Sequence, residues 1–379
     1  MILFRIEDRN SLAKKLATAR DIYDKRVSIL EKNRDQALSA ADFRGLKTFG
    51  LGNRRYLGSK SKLLSWIEKE IRESLGRNPK SLLDPFAGSG VISGHFAELK
   101  TVVHTNDLLL HNSIVLESFL LHKRYDYGVG CDLIAALGAL RPRHGYIATN
   151  FGDKYFSMKN AMKLDSAREF ISREIVDPNL QKFALTSFIY AADKIAQTVG
   201  HYDAFFNKEE VSQAVEFRAP LPVGKGVGHR VTNMDANELV ENQSCEVIYL
   251  DPPYNSRQYG DAYHLLENLV LWEKPEVFGV AKKMNRDKIK SKYSSKQAFQ
   301  AFDELVQSAR CELLVLSYSN TGNARASRSN NILTDSEILN SLKSRGKVRT
   351  VEMGHKEFST GSTSERKHQE RLFICEVRN

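Results

Sequence analysis

A four-residue apolar run, Val247-Ile248-Tyr249-Leu250, passes directly into Asp251-Pro252-Pro253-Tyr254. A short run with no polar alternation reads as a strand buried on both faces, as in parallel sheets covered by helices. Open α/β sheets of that kind hold their ligands at the carboxyl ends of the strands. There this chain places an acid, two rigid prolines and an aromatic ring. The prolines fix φ and donate no N–H, so their carbonyls stay free as acceptors. The Asp251 carboxylate and the Pro252 carbonyl can together accept both hydrogens of an exocyclic amine while Tyr254 stacks on the ring that bears it. A bare Asp-Pro-Pro is often only a turn. The strand before it and the aromatic after it favour the chemical reading.

A second strand-to-turn junction names the electrophile. Ser81-Leu82-Leu83-Asp84 runs into Pro85-Phe86-Ala87-Gly88-Ser89-Gly90, and a helix start follows at Val91. Glycines at such a turn let the backbone come close to a nucleotide-like ligand. The next strand, Thr101-Val102-Val103-His104-Thr105-Asn106, carries Asp107 at its tip. Asp107 follows Gly88 at about the 20-residue spacing expected of a carboxylate that grips ribose hydroxyls. A dinucleotide site would show the same three elements. However, Ser93 stands where its third glycine would be, and Asp84 precedes the loop. Both suit a cationic amino-acid ligand, S-adenosylmethionine, better than the pyrophosphate of NAD. A third strand, Val231-Thr232-Asn233-Met234, ends in Asp235, which reads equally as a contact to the cofactor's adenine and as a helix N-cap.

These residues resemble the alpha-class amino-methyltransferases that methylate N6 of adenine in DNA, the group that includes Dam methylase. Asp-Pro-Phe-Ala-Gly-Ser-Gly at 84–90 matches that family's cofactor loop, and Asp251-Pro252-Pro253-Tyr254 its catalytic turn. Arg55-Tyr56-Leu57-Gly58-Ser59-Lys60 is similar to its N-terminal cofactor motif, and the order of the three motifs is that of the alpha class. Tyr254-Asn255-Ser256-Arg257-Gln258-Tyr259 is similar to a branch found among restriction–modification methylases. The resemblance covers roughly residues 50–379, although its specific motifs fill a small part of that span.

The resemblance implies an α/β fold, with a Rossmann-like S-adenosylmethionine-dependent sheet and a mostly helical target-recognition insert. It implies that Tyr56, Lys60, Asp84, Phe86, Gly88, Gly90, Asp107 and Asp235 surround the cofactor. Asp251, Pro252, Pro253 and Tyr254 then hold the target base. The substrate implied is double-stranded DNA, with direct methyl transfer and no metal; whether a cognate restriction endonuclease is a partner stays open. The same chemistry on cytosine N4 or on adenine in RNA competes, as does a non-catalytic DNA-binding role. Aspartate rather than serine at 251 leans toward adenine. The acid, the aromatic and the two glycines speak against an inactive protein.

Patterning divides the chain into four parts. Residues 1–45 are charged and helical, with Leu12, Leu16, Ala19, Tyr23 and Leu30 spaced near 3.5, and match no known motif. Residues 46–117 hold the first, cofactor-binding half of the sheet domain, 118–228 the insert, and 229–379 the second half. Within the insert, 158–175 and 179–195 carry apolar residues at helical spacing, broken at Asp177-Pro178. Residues 218–230, rich in Gly and Pro, read as a loop. Residues 200–205 (Gly-His-Tyr-Asp-Ala-Phe) fit either a DNA-facing cleft or a helix end with an aromatic core anchor. Residues 263–272 have helical spacing, 313–320 read as a further strand, and 348–351 with 372–377 as a closing hairpin.

Charge and composition agree with a nucleic-acid substrate. The net charge of +10 favours a polyanionic partner. Between 282 and 296, seven lysines and arginines meet one acid, Asp287, with Tyr293 and serines interleaved, a pattern suited to phosphate contacts. Residues 359–367 suggest a loop that closes on DNA. The four cysteines (131, 245, 311 and 375) form no Cys-x-x-Cys pair, which fits reduced thiols in a cytoplasm. No apolar run approaches 18 residues, and charge arrives by Arg5, too early for a secretory signal. A cytoplasmic protein without a membrane partner is the expectation, with its oligomeric state open.

Overall fold

A computed structural model describes residues 44–206, 213–224, 228–253, 255–319, 332–355 and 368–378. The expected N-terminal helical stripe, Tyr254 and the 359–367 loop lie outside the described residues.

The strands are β1 (Thr48–Phe49), β2 (Ser81–Asp84), β3 (Val102–Asn106), β4 (Ala219–Pro220), β5 (Arg230–Thr232), β6 (Val247–Leu250), β7 (Leu313–Ser317), β8 (Gly346–His355) and β9 (His368–Val377). Seven of them form one sheet in the order β5-β3-β2-β6-β7-β9-β8. The first five run parallel, and β9 is antiparallel to both β7 and β8. The chain builds outward from β2 through β3 to β5, then reverses to β6 and β7. Its topological switch point therefore lies between β2 and β6, where open α/β sheets leave a crevice at their carboxyl ends.

Each central strand sends alternate side chains to opposite helical layers. Leu82, Val247, Tyr249, Val315 and Ile374 pack beneath α1 (Leu64–Leu75), α2 (Val91–Glu98) and α3 (Leu110–Leu120). Leu83, Ile248, Leu250, Leu314 and Phe373 face the other way. With both faces covered, the strands are uninterruptedly apolar, as the runs in the sequence predicted.

Between β3 and β5 come α4 (Tyr127–Ala139), α5 (Tyr146–Phe151), α6 (Met158–Glu174) and α7 (Pro178–Ile195). The break before α7 forms as expected: Asp177 accepts from Asn179 N at 2.8 Å and Leu180 N at 2.9 Å, and Pro178 opens the helix. This helical layer has no core of its own. Its Phe151, Leu164, Phe183 and Phe188 join Val115 and Phe119 of α3 in one apolar cluster.

The second half adds α8 (Ala236–Glu241), α9 (Tyr259–Ala262), α10 (His264–Leu271), α11 (Ala298–Ser308) and α12 (Asp335–Arg345). Leu265, Leu266 and Leu269 of α10 complete the cluster shared with the insert. The 218–230 segment is not all loop. Ala219–Pro220 pairs with Thr48–Phe49, because Ala219 N donates to Lys47 O at 3.0 Å and Leu221 N to Phe49 O at 2.9 Å. Proline fits there because the residues on either side of it supply the N–H groups.

Candidate active site

At the switch point the ends of β2, β3, β5 and β6 open onto one cavity of about 930 Å³, counting its mouth. Tyr56, Lys60, Asp84, Phe86, Gly88, Asp107, Asp235, Asp251 and Pro253 all line it. Most of the residues singled out from separate motifs thus meet in one place. Gly90 and Pro252 are not on its wall.

The glycine turn is shaped by two close contacts. A Cβ on Gly88 would lie 2.7 Å from the Tyr56 ring, and one on Gly90 2.3 Å from Leu116. Both glycines also have positive φ, so larger residues would be strained as well as crowded. Gly88 exposes the turn to the cavity, whereas Gly90 lets α2 settle against α3. Tyr56 is in turn stacked on Tyr263, with centroids 4.8 Å apart and planes 3° from parallel.

Among the described residues four aspartates line the cavity, and three of them, Asp107, Asp84 and Asp235, are held by backbone amides or a hydroxyl. Asp107 is buried, and its oxygens accept from Gly88 N and Leu109 N, each at 2.8 Å. Burial raises its pKa while those amides oppose the rise. Asp84 accepts from Ser93 Oγ at 2.7 Å through Oδ2, while Oδ1 is buried without a hydrogen-bond partner. Burial, with smaller contributions from the Asp251 and Asp107 charges, pushes Asp84 up to about 7. Asp235 caps α8 by accepting from Asn237 N at 2.9 Å, yet is partly exposed on the cavity wall. The N-cap reading is the one observed, and it leaves the carboxylate at the cavity wall.

Asp251 meets a lysine rather than the backbone. Lys60 Nζ lies 2.9 Å from each of its carboxylate oxygens, 3.1 Å from Gly58 O and 3.6 Å from Glu370 Oε1. Lys60 was expected among the cofactor contacts; the structure seats its ammonium on Asp251. Burial pushes Asp251 up to about 6, with Lys60 pulling down and Glu370 pushing up.

Gly260, Ile289 and Ser291 escaped the motif reading. With Tyr259 of the family-like stretch and Lys292 and Tyr293 of the basic run, they close one side of the cavity. Phe86 meets Tyr293 edge-on at 4.8 Å, and Gln258 exchanges two hydrogen bonds with the backbone of Ser291, at 2.8 and 3.0 Å. Glu267 of α10, buried among leucines, accepts from Leu110 N at 2.8 Å and His111 N at 3.1 Å. It thereby caps α3, the helix that follows Asp107. An acid inside an apolar helical pattern was the available signal for it.

The basic segment is less free than its local count suggested. Lys283 pairs with Asp203 at 2.9 Å, Arg286 with Asp261, Lys290 with Asp287 at 2.7 Å and Lys292 with Asp235 at 3.8 Å. Lys288 and Lys296 stay exposed. In the 200–205 stretch Tyr202 is a core anchor, donating to Asp193 at 2.9 Å, while Asp203 joins Lys283 and Arg257 in a charged cluster.

Residues 56–319 match the model of the D12 class N6 adenine-specific DNA methyltransferases, and the chain belongs to that family. It is an enzyme that methylates adenine N6 in DNA at specific sites. The chain is 30% identical over 329 residues to type II methyltransferase M.NlaIII of Neisseria lactamica, spanning 83% of this chain and 95% of that protein. Type II methyltransferase M.CviAII of Paramecium bursaria Chlorella virus 1 is 28% identical over 325 residues, 80% of this chain and 92% of its own length. Modification methylase StsI of Streptococcus sanguinis is 29% identical over 310 residues, which span 76% of this chain but 46% of that larger protein.

Proposed function

We propose that the protein is the modification enzyme of a restriction–modification system, methylating an adenine flipped out of double-stranded DNA with S-adenosylmethionine as donor. The observation that carries this reading is one cavity lined both by Asp84, Gly88 and Asp107, from the tips of β2 and β3 and the glycine turn, and by Asp251 and Pro253, which follow β6. The residues fit the donor. Asp84 Oδ1 is a buried acceptor lacking a partner, as the cationic amino group of an amino-acid ligand requires. Gly88 keeps the turn low enough for a ligand to lie across it.

When bound, S-adenosylmethionine supplies an electrophilic methyl group, and its transfer moves a positive charge onto N6. Asp107 would hold the donor's ribose and Asp235 its adenine end, with Tyr56 and Phe86 as apolar walls. Asp251 and the Pro252 carbonyl accept from the target amine, which turns its lone pair out of the ring and toward the methyl group. Tyr254 stacks on the flipped base and offsets the few kcal/mol that unstacking costs. Asp251 need not be a strong base, because N6 becomes acidic once alkylated; its carboxylate instead stabilises the charge that arrives.

In the same reading, residues 118–228 carry target recognition, residues 1–45 are a helical extension, and Lys288 and Lys296 contact phosphates. A cytoplasmic location accords with four free cysteines. Among the described residues no helix is long and apolar enough to cross a membrane. The test is to sequence the modified bases in DNA from cells expressing the protein. N6-methyladenine at one sequence is expected; N4-methylcytosine, or no modified base, would contradict the reading.

A further inference from the structure

We propose that Glu370 is a positioning residue for methyl transfer, drawing on the Lys60 ammonium so that the Asp251–Lys60–Glu370 cluster stays net negative where charge reaches N6. The inference rests on the functional reading above.

Strand alternation brings the cluster together. Leu372 and Ile374 of β9 point into the core beneath α1, whereas Phe373 and Cys375 point away. Glu370, two residues before Leu372, lies on the α1 side. Ser317 of β7 lies there too, two residues after Val315, and so does Tyr249, two residues before Asp251. Ser317 Oγ donates to Glu370 Oε1 at 2.7 Å, and that oxygen lies 3.6 Å from Lys60 Nζ. Lys60 enters from the loop before α1 and is 5% exposed. One cation is therefore shared by two carboxylates.

Charge arithmetic gives the arrangement its purpose. Asp251 and Lys60 alone would form a neutral pair, a poor partner for a positive charge moving toward Asp251. Adding Glu370 leaves the cluster with one negative charge, fixed before the reaction begins. A second half-buried carboxylate is costly to the fold and gains little as a plain ion pair, so its place beside the site points to chemistry. Asp84 from β2 and Tyr249 from β6 also feel the Asp251 charge, and neither supplies a compensating cation.

The test uses the full-length Glu370→Gln enzyme, tritiated S-adenosylmethionine and unmethylated bacterial genomic DNA, with wild type in parallel. The plateau kcat should fall about tenfold while the KM for S-adenosylmethionine stays within about twofold. The acid limb of kcat/KM should move to lower pH, because removing a neighbouring negative charge lets Asp251 lose its proton more easily. A merely structural role would not move that limb. An unchanged plateau, or an acid limb at the wild-type position, would overturn the proposal. Should Glu370→Gln fail to fold, Glu370→Asp draws the same charge back from Lys60 by one methylene and should show both changes in smaller measure; the absence of both would overturn the proposal equally. A wild-type enzyme that makes no N6-methyladenine would instead remove the functional reading itself.

Discussion

Asp107 and Asp251 both stand at the tips of parallel strands on one cavity, yet they are held in opposite ways. Backbone amides of Gly88 and Leu109 clamp Asp107, and Glu267 caps the helix beyond it. Asp251 is bound by the side chain of Lys60, itself shared with Glu370. A carboxylate fixed by the main chain shapes a cavity and cannot easily change partner. One held by a single lysine ammonium keeps lone pairs on its oxygens for a further donor. On the proposed function, the same residue type holds the cofactor in one place and serves the reacting amine in the other.

The largest effect should come from Asp251→Ala, which is expected to lower kcat by on the order of 10³-fold in a methyl-transfer assay. Gly88→Ala should act on the cofactor instead. A methyl group driven into the Tyr56 ring at a positive φ should weaken S-adenosylmethionine binding about tenfold or more by titration calorimetry, with DNA affinity unchanged. If Gly88→Ala instead lost turnover at saturating cofactor, the division between the two roles would fail.

Smaller effects sharpen the same contrast. Asp251 must be ionised to accept from N6, and its pKa is raised to about 6. The kcat/KM profile should therefore be flat above that value and fall about tenfold per pH unit below it. Glu267→Gln should weaken cofactor binding about threefold through the loosened start of α3, leaving kcat at saturation intact. Asp84, near 7 when its Oδ1 lacks a partner, should ionise as a cationic amino group docks. Binding at pH 7 should then release roughly half a proton, seen as a dependence of the binding enthalpy on the buffer.

Local features of the fold were legible in the sequence because local rules fix them. The apolar runs at 81–84, 247–250 and 313–317 became neighbouring central strands, and Asp177-Pro178 capped a helix as such a pair should. Ser93 reaches Asp84 within one strand–turn–helix unit, nine residues apart. What could not be read joins distant segments. Lys60 meets Asp251 across 191 residues and Glu267 reaches His111 across 156, distances that no periodicity spans. Glu370 gave no signal at all, since only the register of β9 against β7 assigns it a face. The ion pairs of the basic run could not be read for the same reason, because Asp203, Asp235 and Asp261 lie far from it in sequence.

The most direct test is to titrate purified Asp251→Ala with S-adenosylmethionine on the same preparation that is assayed for turnover. Cofactor affinity within a few-fold of wild type, with turnover gone, is what an acceptor dedicated to the target amine predicts. Loss of cofactor binding, with near-normal turnover once the cofactor saturates, would contradict it.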